Sequence, residues 1–322
     1  MKDLFVRSGR CICVKPNTWP ICEGCGTDPG LGYSDLPLGV PFGHCRNFFM
    51  PLPSTCCEEN EEINFDFGNG YNWLVSAWPY ITDKGGPPVM AVVPGAGAVH
   101  FTVSGESYVS GDGASGYTLV HANNVFVLTT PQGELYEFWG FERGTANKGR
   151  FKKYEGQGQT VTVSGYTGFG HIQALQRQYS DGDDTITERI EYVYETHEDG
   201  AERATSASYS RKVNNGSFEP LERALYTYYG GSSSSSSSSG SEEEHGTTGD
   251  LKTAVRQLYG SWVTISTSYY RYYTEGDDRH RLKYAVVDEA YERLCDDPEV
   301  TDPFTASDEI VAEYATNYFE YD

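Results

Sequence analysis

The chain has 322 residues, with 24 Lys and Arg against 46 Asp and Glu, a formal charge of −22. That balance argues against nucleic acid or an anionic membrane surface as partner, and no run approaches the roughly 18 apolar residues of a membrane helix. Its 25 Tyr, 36 Gly and only three Met give the profile of a strand-and-turn protein rather than a helical bundle.

Met1 to Arg10 carries Lys2, Asp3, Arg7 and Arg10 without an apolar stretch, so no secretory signal is visible. Seven of the eight cysteines follow within 57 residues: Cys11, Cys13, Cys22, Cys25, Cys45, Cys56 and Cys57. Seven prolines share this segment, so residues 1–62 are expected to be irregular, neither helix nor central strand. So short a segment buries little apolar surface, and cross-links or a metal are the usual remedy. Disulfides would place the chain in an oxidising compartment. A zinc site would use Cys22 and Cys25 with Cys45, His44, Cys11 or Cys13, although no second CxxC knuckle is present. Seven is odd, so one thiol is free, pairs with Cys295 or links chains.

Residues 63–145 read as an antiparallel β region, sandwich-like or continuous. Ile63-Asn64-Phe65-Asp66-Phe67 alternates cleanly and runs into Gly68-Asn69-Gly70. Short strands follow at Trp73–Val75, Val89–Val93, Val99–Val103, Tyr117–Val120, Val125–Thr129 and Leu135–Trp139, each bounded by turn residues. Gly111-Asp112-Gly113-Ala114-Ser115-Gly116 spells a dinucleotide fingerprint, but a strand-like segment follows it, so no helix N-terminus is there to hold a pyrophosphate. It is read as a loop.

From residue 146 to 322 the cadence is that of β-hairpin repeats. Turn residues, a glycine and an alternating strand recur around Lys148–Tyr154, Gly156–Val163 and Gly170–Leu175. Tyrosine pairs follow at Tyr192/Tyr194, Tyr226/Tyr228 and Tyr270/Tyr272, expected to stack across neighbouring strands at roughly 0.2–1 kcal/mol per aromatic pair. Residues 230–249, with eight serines from Ser232 to Ser239, form a low-complexity loop that a hairpin can carry at little cost. Ser180–Asp184 and Glu275–Asp278 are hairpin turns with weak calcium character, since neither has the spaced Asp framework and distant Glu of a calcium loop. Two short helices are expected near 286–296 and 306–317, the second with Thr305-x-x-Asp308 as a capping box. The chain then closes on Asn317–Asp322, an aromatic strand read as lacking a partner, as at the edge of a fragment.

These units resemble the YD-repeat (Rhs-type) family, whose repeats run aromatic-x-Tyr-Asp, a turn, Gly-Arg-Leu and a second strand. Gly149-Arg150-Phe151 and Gly170-His171-Ile172 stand where Gly-Arg-Leu is expected, and Phe319-Glu320-Tyr321-Asp322 matches the signature directly. The chain departs from the pattern in its irregular spacing, and in having Glu195 and Tyr229 after Tyr194 and Tyr228. The resemblance implies an Rhs/YD-type sheet or partial shell, the N-terminal part of a longer repeat protein with further YD units downstream of residue 322. It also implies a cell-surface or secreted location, and a scaffold that binds carbohydrate or encloses a C-terminal effector such as a toxin.

Catalytic signatures are missing from the sequence: no Gly-x-Ser-x-Gly, no HExxH and no phosphate loop appear, and the seven histidines are scattered. The function expected is therefore a structural and interaction role without cofactor, zinc or calcium being the only candidates. The alternative is a polysaccharide-active enzyme with its site on the middle β region.

Overall fold

Alternating apolar and polar residues, broken by turns that demand left-handed backbone, fold this chain into hairpin after hairpin. The structure, a computed structural model, describes residues 44–48, 66–75, 78–82, 89–93, 97–104, 107–110, 116–142, 146–230 and 245–321. Cys22, Cys25 and Asp322, most of the glycine-rich loop at 111–116 and most of the serine-rich loop lie outside these residues.

A first antiparallel pair, β1 (Arg46–Phe48) and β2 (Trp73–Val75), stands apart. The other strands form one antiparallel meander in which each pairs with its neighbours in sequence. It begins with β3 (Tyr80–Thr82), β4 (Val89–Val93), β5 (Gly97–Ser104), β6 (Ser107–Ser110) and β7 (Thr118–Ala122). It continues with β8 (Val125–Thr129), β9 (Leu135–Trp139), β10 (Phe151–Gly156), β11 (Gln159–Tyr166) and β12 (Ile172–Asp181). The longest strands come next, β13 (Asp184–Thr196) and β14 (Glu202–Val213), followed by β15 (Glu219–Tyr228), β16 (Leu251–Leu258), β17 (Val263–Tyr272), β18 (Leu282–Val287) and β19 (Asn317–Tyr318). The fold is thus mainly antiparallel β, as expected. The expected division at 145/146 falls between β9 and β10, which pair directly.

Local chemistry explains the turns. Asn123 and Asn124 both take positive φ (52° and 57°) between Ala122 and Val125, the two-residue hairpin geometry that matches strand twist. Gln157 and Gly158 do the same between Gly156 and Gln159. The serine-rich insertion leaves the ladder intact, because Thr227 faces Thr253 and Tyr229 N donates to Asp250 O at 2.9 Å.

Side chains sort by strand parity. One face of the long strands carries Leu175, Ile190, Ala207, Tyr226, Ala254 and Tyr270, all buried. Where β17 and β18 present their other face, α1 (Glu289–Asp296) and α2 (Asp308–Tyr314) cover it, burying Ala290, Leu294 and Val311. Tyr269, on that face, meets Phe304 at 5.2 Å and Tyr291 at 6.4 Å.

Three expectations are corrected. The chain's last strand has a partner: Tyr284 faces Tyr318 and Ala285 faces Asn317. The first helix starts at Glu289, not 286, because Val286 and Val287 extend the ladder opposite Tyr269 and Ser268, where β-branched side chains fit best. The second helix is capped by Ser307, whose hydroxyl accepts from Ile310 N, rather than by Thr305.

Candidate functional site

The tyrosine pairs lie at i and i+2 on β13, β15 and β17, so each pair shares a face. Tyr192, Tyr226, Tyr228, Tyr270 and Tyr272 are buried, and Tyr194 is half-buried against them. They do not stack on one another across strands, which corrects the expected ladder. Ala207 stands opposite Tyr192, Ala204 opposite Tyr194 and Ala254 opposite Tyr226. The intervening strands therefore supply small residues, and the space above them is filled by the β1–β2 pair and the turn at 66–72.

His44 bridges two strands: its Nδ1 lies 3.2 Å from Tyr192 Oη and its Nε2 2.6 Å from Tyr226 Oη. The Arg46 guanidinium sits 3.5 Å over the Tyr226 ring, and its Nη1 donates to Asn69 O at 3.2 Å. Trp73 Nε1 donates to Tyr272 Oη at 2.9 Å, while its ring packs 5.1 Å from Tyr270 and 5.4 Å from Phe48. The charge states follow from these surroundings. Burial, aided by the Arg46 charge, holds His44 well below the usual imidazole range, so it is neutral, with one ring nitrogen donating and the other accepting. Burial pushes the Tyr228 phenol up to about 12 and raises Tyr192 further. The Tyr192 and Tyr228 phenols are therefore neutral.

A second set of contacts anchors the turn. Asp66 Oδ1 accepts from the backbone N–H of Gly68, Asn69 and Gly70 at 2.8, 3.2 and 3.2 Å. Its other oxygen takes Arg203 Nε at 2.6 Å, and Arg203 also grips Asp199 through both terminal nitrogens at 3.0 and 2.6 Å. Burial alone would lower the Arg203 pKa, but the two carboxylates outweigh it and raise it. Gly68 must be glycine, since its φ is +81° and a Cβ would come 2.9 Å from the His171 ring.

Thr247, His280 and Asp250 group like a nucleophile, base and acid. Thr247 Oγ1 and Asp250 Oδ1 both approach the same imidazole nitrogen, Nδ1 of His280, each at 2.9 Å. A proton relay needs the acid and the nucleophile on opposite ring nitrogens, so this set holds structure and does not activate a hydroxyl. Buried carboxylates elsewhere are likewise tied: Glu188 accepts from Arg177 and, at 2.7 Å, from Tyr209 Oη. What this arrangement does chemically is hold an extended segment against a sheet.

The remaining predicted positions scatter. Phe319 is buried and its carbonyl accepts from Tyr273 Oη at 2.9 Å; Tyr321 Oη donates to Leu282 O at 2.8 Å. Both lie at the β18–β19 edge. Cys45 is half-buried beside Arg46. Among the described residues no three His, Cys, Asp or Glu side chains are grouped as metal ligands, and no helix is long and apolar enough to cross a membrane. Sequence reasoning assigned His44 and Arg46 to the irregular leader and missed their role. The signal was present as the alternation His44, Arg46, Phe48, which puts three large side chains on one strand face.

No family model matches the chain, and no curated protein matches it. Among solved structures it is similar to the one titled "Crystal Structure of TcdB2-TccC3", with a TM-score of 0.34 and 11% sequence identity. The match covers 89% of this chain and 16% of that one, so the chain spans about one sixth of the length of its structural neighbour.

Proposed function

We propose that the chain is a non-catalytic structural and interaction module, a YD-repeat-like β-hairpin scaffold that holds a non-repeat polypeptide segment on its inner tyrosine face. The observation that supports this reading is the occupancy of that face. Arg46 and Trp73 come from a strand pair outside the meander and His44 from just before it, yet they meet the hydroxyls or rings of Tyr192, Tyr226, Tyr270 and Tyr272. Small residues on β14 and β16 leave room for this guest, a packing that a self-filling sheet would not need. The carboxylates buried beside it are ion-paired or capped, which fits holding better than turnover.

On this reading the protein works at the cell surface or after secretion. Further YD units of the same polypeptide and a C-terminal effector or surface carbohydrate are its partners. A double variant, His44→Ala with Trp73→Ala, tests it by limited proteolysis and hydrogen exchange. Residues 44–75 should become cleavable and exchange quickly while β11 to β17 stay protected. Collapse of protection across the whole meander would contradict the reading, because the segment would then be integral core rather than something held.

A further inference from the structure

The tyrosine wall takes one side of the sheet, and the alternate positions face the other side. On β15, Ala224 and Tyr226 are buried on the inner side, so Arg223 stands on the outer. Gln257 on β16 lies opposite Arg223, and Thr264 on β17 lies opposite Gln257. Arg223 Nε donates to Gln257 Oε1 at 2.7 Å, and Gln257 Nε2 donates to Thr264 Oγ1 at 3.1 Å.

The turn that joins β16 to β17 adds two aromatic residues to this line. Gly260, Ser261 and Trp262 take φ of 105°, 90° and 53°, a left-handed run that a bulky side chain seldom adopts. It places the Trp262 ring 4.2 Å from the Arg223 guanidinium and 5.3 Å from the Tyr259 ring. Tyr259 is 59% exposed, and its N–H donates to the carbonyl of Leu221, itself exposed, at 2.9 Å. A cluster of exposed aromatic and apolar side chains of this kind is the character of a contact surface.

The groups left open in the cluster are donors. Among the described residues, the Trp262 indole N–H, the Tyr259 hydroxyl and the Arg223 terminal nitrogens have no hydrogen-bond partner, and none of them is buried. The neighbouring acceptors, Gln257 Oε1 and Thr264 Oγ1, are already engaged. A matching ligand therefore offers carbonyl oxygens, few N–H groups, and rings that lie on aromatic faces. Backbone amides of β15 to β17 are paired within the ladder, so an ordinary peptide strand laid here would leave its own N–H groups unsatisfied. Proline has no N–H, and a polyproline II segment turns its carbonyls outward. A carboxylate ligand would also accept these bonds, but the formal charge of −22 opposes its approach. A sugar hydroxyl brings a donor with each acceptor, for which this cluster has no open partner.

We propose that the surface formed by Leu221, Arg223, Tyr259 and Trp262 binds an uncharged proline-rich segment of a partner protein. Proline rings pack on Tyr259 and Trp262, and the segment's carbonyls accept from the indole N–H and from Arg223. The site lies across the sheet from the tyrosine wall and does not depend on what that wall holds.

Fluorescein-labelled decaproline, titrated with the full chain and followed by anisotropy, tests the site. Saturable binding is expected, weakened about tenfold or more by Trp262→Ala and by Tyr259→Ala. A labelled Gly-Ser peptide of equal length should not bind. Should Trp262→Ala fail to fold, Tyr259→Ala decides the matter, since that side chain is largely in solvent. No saturable binding by the wild-type chain, or binding that Tyr259→Ala leaves unchanged, would overturn the proposal. A linear oligosaccharide that binds through these aromatic residues in place of decaproline would overturn it as well.

Discussion

His44 touches two strands through opposite ring nitrogens, and this works only for a neutral imidazole, which has one donor and one acceptor. His171 is likewise held neutral, by burial first and by Arg150 second. In the unfolded chain both rings take up a proton near pH 6.5. Their contribution to stability is therefore complete above that pH and is lost as pH falls from about 6.5 toward the folded-state values. For His171, whose folded value is about 4, the loss by pH 4 is roughly 3 kcal/mol. Asp199, desolvated but held low by Arg203, and Asp308, desolvated but held low by His245, Lys283 and Arg271, act in the same direction but in a lower pH window. Their contributions are present above the ordinary carboxylate range and fade only below it. Urea unfolding between pH 7 and 4.5 should thus show falling stability, with a shallower slope in His171→Gln. Equal slopes in the two proteins would show that His171 is not the titrating group. At this scale the sequence was partly legible. Tyrosine pairs at i and i+2 announce one buried face, but the side chains that meet them come from 148 to 199 residues away, and no local pattern encodes such a distance.

Strands and turns were the most readable elements, because parity and left-handed turn residues are local properties. Asn123-Asn124 and Gln157-Gly158 each fix a hairpin register by themselves. The helices were less readable. Val287, Ala290, Tyr291 and Leu294 have helical spacing, yet Val287 belongs to β18 because Ser268 on β17 offers it a ladder position. The second helix docks through Arg271. Its side chain is fully buried and donates to Asp308 Oδ1 at 2.7 Å, Ala306 O at 2.7 Å and Pro303 O at 3.2 Å. Arg271→Met strands the carbonyl oxygens of Pro303 and Ala306 and takes one of three partners from Asp308, so stability should fall by about 2 kcal/mol or more. Hydrogen exchange should accelerate through 302–314 more than through β13 and β14. Uniform acceleration would show that α2 does not depend on this contact.

Across the whole molecule, successive hairpins build one meander and a separate strand pair lies on its inner face. A hairpin alone is marginal, so each strand depends on the next, and the aromatic face depends on what fills the space over Ala207 and Ala254. The account rests on the contact between that wall and the first strand pair. Its most direct test is a double-mutant cycle of His44→Ala and Tyr226→Phe, read by urea unfolding, because His44 Nε2 and Tyr226 Oη lie 2.6 Å apart. A coupling free energy of at least about 1 kcal/mol is predicted. Strict additivity, within about 0.3 kcal/mol, would show that the segment does not sit on the wall.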